Sequence, residues 1–177
     1  MDFVTFTKEQ LDQAISFSKQ VNTSFYSSRN QNDIVKRQID AKIGKLGEIV
    51  VYALLKDVVE NLTYPDLKIY DSIEKSWDYD LKGKGVDIHV KSQNVEIAKQ
   101  FGTSWVFQKS DTHIFKEYLE QDEVAFVTVD LVKNIGVLKA IVPLYFLHQN
   151  DLFKPLKLKH LSSKLAVYWE DLEKIIK

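Results

Sequence analysis

Apolar residues recur along this chain with two different periods. Near the start, Leu11, Ala14, Ile15 and either Phe17 or Phe25 follow Thr7-Lys-Glu-Gln10, a capping-box pattern that predicts a first helix. Residues 22–32 are mostly polar and predict a loop. A long second helix is expected from about Asp33 to Val58, because Ile39, Ile43, Leu46, Val50, Ala53 and Leu54 recur at helical spacing. After Pro65 alternation takes over, and Leu67–Ser72, Trp77–Lys82 and Gly85–Lys91 read as three successive strands. The last two are expected to join at Gly83-Lys84. A short helix, Asn94–Phe101, should stop at Gly102, followed by a strand over Ser104–Gln108 and a helix over Thr112–Glu120. Val124–Val132 and Val137–Val142 form an expected hairpin across Asn134-Ile-Gly136. Pro143 should open a short helix, and the chain closes with a strand, Leu165–Trp169, and a helix, Glu170–Lys177.

This order predicts an α/β fold of α+β type, a mixed central sheet flanked by helices, because the first three strands follow one another without helices between them. We expect a single domain over 1–177, with its core at about 34–132 and a C-terminal hairpin and helix elaboration at 133–177. The 177 residues are 45 % hydrophobic, enough for one core. Charged residues make up 28 % and the net charge is −1, so any nucleic-acid partner must be met by a local cluster of Lys and Arg. There is no cysteine, which excludes disulfides, thiolate metal sites and Cys nucleophiles. The N-terminus lacks the pattern of a secretory leader, and no apolar run reaches the length of a membrane span. The expectation is a cytoplasmic protein without a membrane partner.

Candidate chemistry concentrates in Trp77–Gln93. With a two-residue turn at Gly83-Lys84, Asp80 would face Asp87 and Asp78 would face His89. Alternation then puts Asp78, Asp80, Asp87, His89 and Lys91 on one face and Tyr79, Leu81, Val86, Ile88 and Val90 on the other. Three carboxylates on one face repel, and a divalent cation with hard oxygen ligands, Mg²⁺ or Mn²⁺, relieves that repulsion. Lys91 could hold an attacking water or neutralise charge developing on a phosphorus-bound oxygen. A solvated outer face of an edge hairpin is the plain alternative. The long helix adds Glu48 at the head of the uncharged run Ile49–Leu55, where a carboxylate wants a partner. Either Lys45, three residues earlier, or a metal could serve.

Glu48 within Gly-Lys-Leu-Gly-Glu, then Asp80-Leu, then Ile88-His-Val-Lys91-Ser, resembles the PD-(D/E)XK nuclease superfamily, which includes restriction endonucleases. The resemblance covers roughly Ile34 to Val132 and implies a restriction-endonuclease-like core of helix, three strands, helix and strand. It implies a metal-dependent DNA endonuclease using Mg²⁺, with Mn²⁺ as an alternative. By position, Asp80 or Asp78 would be the metal-binding Asp, Lys91 the catalytic lysine, Glu48 the helical acid, and Gln93 a contact to metal-bound water or phosphate. The pattern departs at His89, which stands where the family has an acid. Imidazole suits Mn²⁺ better than Mg²⁺. His89 could instead act as general base, Asp87 could supply the missing oxygen ligand, or the site could be degenerate and serve binding alone. Lys82 and Lys84 at the turn, with Arg37 and Lys45 on the long helix, are the expected DNA contacts. Cutting both strands would need two sites, so a homodimer is expected.

Overall fold

The computed structural model describes residues 2–21, 33–69, 79–157 and 162–177. The stretch at 22–32, with the expected loop, lies outside them, as do Asp78 and the second half of the expected strand Leu67–Ser72. The described part of that strand, Leu67–Ile69, has no regular structure.

The chain opens with β1 (Asp2–Thr5) and α1 (Lys8–Gln20), whose capping box at Thr7 is formed in both directions. Next comes α2 (Ile34–Leu55), with the Asp33 carboxylate accepting from the Lys36 N–H as its N-cap. Its buried stripe contains Ile43, Leu46, Ile49 and Val50, while Ile39, expected in it, is exposed. A hairpin follows, β2 (Leu81–Gly83) and β3 (Val86–Asn94), then α3 (Val95–Phe101), β4 (Ser104–Gln108) and α4 (Thr112–Phe115). The long β5 (Asp122–Asp130) and β6 (Ile135–Pro143) come next, then α5 (Leu144–Gln149), β7 (Lys154–Pro155), β8 (Lys164–Tyr168) and α6 (Trp169–Ile176). The protein is thus mixed α/β, as expected. The helix expected over Thr112–Glu120 ends at Phe115, and β1 and β7 were not foreseen.

Two sheets are present among the described residues. The larger has the order β1-β6-β5-β3-β2, with β3 and β5 parallel and the other pairs antiparallel. The smaller is antiparallel, in the order β4-β8-β7. One apolar cluster fills the space under α2, joining Ile43, Leu46, Ile49 and Val50 to Leu81, Ile88, Ala125, Val127 and Val129. The other lies on the opposite face of the large sheet, where Val124, Phe126 and Val142 meet Trp105, Phe107, Val167 and Leu172. The Trp105 indole N–H donates to the Val127 carbonyl at 2.8 Å and pins the small sheet onto the large one. Trp105 and Phe107 are therefore core, and only Val106 between them points outward.

Gly47 sets how closely α2 approaches the sheet. A Cβ there would fall on the Ser92 hydroxyl and 2.9 Å from the Ser92 Cβ. The helix consequently rests on the Ile88, Val90 and Ser92 side of β3. Strand alternation turns Asp87, His89 and Lys91 to the opposite face, toward the small sheet.

Candidate active site

The β2–β3 register pairs Leu81 with Ile88, Lys82 with Asp87 and Gly83 with Val86. The turn is Lys84-Gly85, one residue later than expected, with Gly85 in the left-handed region at φ 74°. Gly83 stays in the strand, where a Cβ would strike the Val59 side chain. Moving the turn by one residue slides the pairing by two, so the side chains keep their faces although their partners change. Asp80 does not face Asp87 as expected; Lys82 does.

Asp80 lies just before the first residue of β2 and turns along the edge of β3. Its N–H donates to the Ile88 carbonyl at 3.0 Å, and its Oδ2 accepts from the Val90 N–H at 2.7 Å. The carboxylate is thereby held at the level of Val90, between His89 and Lys91 in the strand. His89 is 6 % exposed. Burial pushes its imidazole below the ordinary range, Asp80 opposes that push, and Lys91 reinforces it. Asp122 and Asp111 also act on the ring in the direction of Asp80. Sequence reasoning passed over both. Asp111 is the N-cap of α4, accepting from Ile114, and Asp122 opens β5 with its carboxylate on the Leu119 N–H. Isolated turn acids carry no local signal; the parallel pairing of β5 on β3 is what brings Asp122 beside Asp87.

Lys91 has no carboxylate partner among the described residues, and its ammonium lies 5.0 Å from the centre of the Phe107 ring. Asp87 is 7 % exposed. Its Oδ2 receives the Gln121 amide at 3.4 Å, whereas its Oδ1 is buried without a hydrogen-bond donor, with the Lys82 ammonium 3.6 Å away.

Other expected members lie elsewhere. Glu48 is buried at 6 % exposure on α2, and Lys45 donates to both of its oxygens, at 2.9 and 2.8 Å. Lys45 also lies over the Phe17 ring. Since α2 covers the apolar side of β3, Glu48 is not on the face that carries His89 and Lys91. Gln93 spends its amide on the backbone, accepting from the Ser104 N–H and donating to the Gly102 carbonyl, and so fastens the turn between α3 and β4. Of the expected DNA contacts, Lys84 pairs with Glu60, Lys82 with Asp87 and Lys45 with Glu48; Arg37 is half-buried at the exposed end of α2.

For a divalent cation, this end of the hairpin offers the second oxygen of Asp80 and the neutral imidazole of His89. Among the described residues no three Asp, Glu or His side chains gather closely enough to hold a metal alone. Mg²⁺ is commonly held by one or two carboxylates with water and substrate phosphate completing the shell. A donor set of this size fits that mode, and the imidazole favours Mn²⁺. No helix among the described residues is long and apolar enough to cross a membrane. No family model, curated protein or solved structure matches this chain.

Proposed function

We propose that this chain is a divalent-cation-dependent DNA endonuclease with a restriction-endonuclease-like core of the PD-(D/E)XK type. The observation that carries the reading is the seating of the Asp80 carboxylate on the Val90 N–H, which sets an acid beside His89 and Lys91 where β2 begins. The order of α2, the β2–β3 hairpin, α3 and a β5 parallel to β3 supports it. Bound at Asp80, a cation would supply Lewis-acid polarisation of the scissile phosphate. The chain's own residues do the rest. His89, kept neutral by burial, accepts a proton from the attacking water. Lys91, with no carboxylate partner among the described residues, offers its ammonium to the charge that develops on the phosphate oxygens. Glu48, bonded through both oxygens to Lys45, contributes to the seating of α2 rather than to the reaction.

The test is incubation of the purified chain with supercoiled plasmid in Mg²⁺ or Mn²⁺. Nicking in wild type and its loss in Asp80→Asn are expected. A second reading, a binding module on the same fold with a degenerate site, is favoured by the Lys45–Glu48 pair and by the histidine in the acid's place. Retained DNA binding without nicking in either cation would select it. Two copies acting together remain the arrangement proposed for double-strand cleavage.

A further inference from the structure

Asp87 and Asp122 stand side by side on parallel strands, in direct register, and both are more than nine-tenths buried. Adjacent strands lie about 4.8 Å apart, so the two side chains leave the sheet side by side on one face. Two like charges so placed need a counter-charge. Their hydrogen bonds do not supply it. Asp122 accepts from the Leu119 N–H and Asp87 from the Gln121 amide, both neutral donors. The Asp87 Oδ1 is buried and accepts no hydrogen bond at all.

The nearest cation is Lys82, directly across the hairpin from Asp87. Its ammonium approaches the Asp87 Oδ1 only to 3.6 Å, beyond hydrogen-bonding range, and its side chain is 51 % exposed. It leans on the Tyr79 ring at 4.8 Å, itself an exposed residue. Asp87 raises the affinity of this ammonium for its proton, so the charge is fixed but the side chain is not enclosed. A buried oxygen without a donor, answered by a cation from the solvent side, is how a displaceable counter-ion is arranged.

We propose that the Asp87–Asp122 pair is a binding site for a hard divalent cation, Mg²⁺ or Mn²⁺, for which Lys82 is a resident and displaceable substitute. Water completes the coordination, since two carboxylates are the only acidic ligands the two strands provide there. The site does not draw on Asp80, and it stands whether or not the chain cuts DNA.

Mn²⁺ binding to the intact chain, followed by the electron paramagnetic resonance signal of the free ion, tests this without any reading of cleavage. All variants carry Asp80→Asn, which removes the neighbouring acid from the count. Lys82→Met is expected to bind Mn²⁺ about fivefold more tightly, the upper end of what a half-exposed ion pair supports. Lys82→Arg, which keeps the charge, should stay at the reference affinity. Adding Asp122→Asn to Lys82→Met should remove the gain. Equal affinity in Lys82→Met and the reference, or a gain that survives Asp122→Asn, overturns the proposal. Should Lys82→Met not fold by circular dichroism, Lys82→Gln carries the same comparison.

Discussion

The two faces of the large sheet are built from the same strands and do opposite work. Under α2, Ile88, Val90 and Ser92 of β3 meet helix side chains at the closest approach a glycine permits, and the buried charged pair Lys45–Glu48 is internal to the helix. On the other face, the odd-numbered residues of the same strand are Asp87, His89 and Lys91, and the sheet that covers them leaves their charges only partly answered. What separates them is that the α2 side is apolar apart from the Ser92 hydroxyl and the buried Lys45–Glu48 pair, whereas the far side holds charges whose partners come from β2, α4 and β5. A surface of the second kind has capacity left for a ligand; one of the first kind has stability.

That contrast can be broken from either side, and the largest effects are expected on the α2 face. Leu46→Ala, at a fully buried position in the cluster under α2, should cost about 3 kcal/mol in denaturant unfolding. Lys45→Met, which takes the lysine from a buried carboxylate, should cost about 3 kcal/mol, and adding Glu48→Leu should recover most of that loss. Equal stability of single and double variants would mean that the pair is not an internal unit.

On the far face the expected stability effects are smaller and depend on pH. His89 has its affinity for a proton lowered by burial from an ordinary value of 6.5. Above about pH 6.5 the ring is neutral folded or unfolded, and the stability it contributes is fully present. As pH falls, the unfolded chain takes up a proton that the folded one resists, so stability drains away until the folded pKa is passed. His89→Gln should therefore flatten the melting-temperature profile between about pH 7 and about pH 5; parallel profiles would count against a buried neutral ring. The smallest effect is expected at the hairpin tip. Lys84→Ala, which removes an exposed contact to Glu60, should alter stability by no more than about 0.5 kcal/mol while weakening DNA retardation at low salt.

Much of this division is written locally. The capping box, the long helix, the strand Ser104–Gln108 and the alternation of β3 need no tertiary information, and each is where its pattern placed it. The turn was misplaced because two glycines compete for it. Gly85 provides the left-handed backbone, while Gly83 is required by its packing on Val59. Leu81, Val86, Ile88 and Val90 keep the apolar face because the resulting slip is an even number of residues, whereas Tyr79, expected with them, is exposed against the Lys82 ammonium. Glu48 was read as buried and in need of a partner, which it is, but its side of the sheet depends on the Gly47–Ser92 contact between elements far apart in the chain. Asp111 and Asp122 were illegible for a related reason. Each looks like an ordinary turn or cap acid until β5 is paired with β3.

The central claim is that the odd-numbered face of β3 is chemically active and separable from the core beneath α2. Its most direct test is the nicking rate of supercoiled DNA in Mn²⁺ for wild type and Lys91→Ala, with thermal unfolding measured on the same samples. The account predicts a fall of about 100-fold in rate with an unchanged melting temperature. Equal rates in the two proteins, or no nicking by wild type, would contradict it.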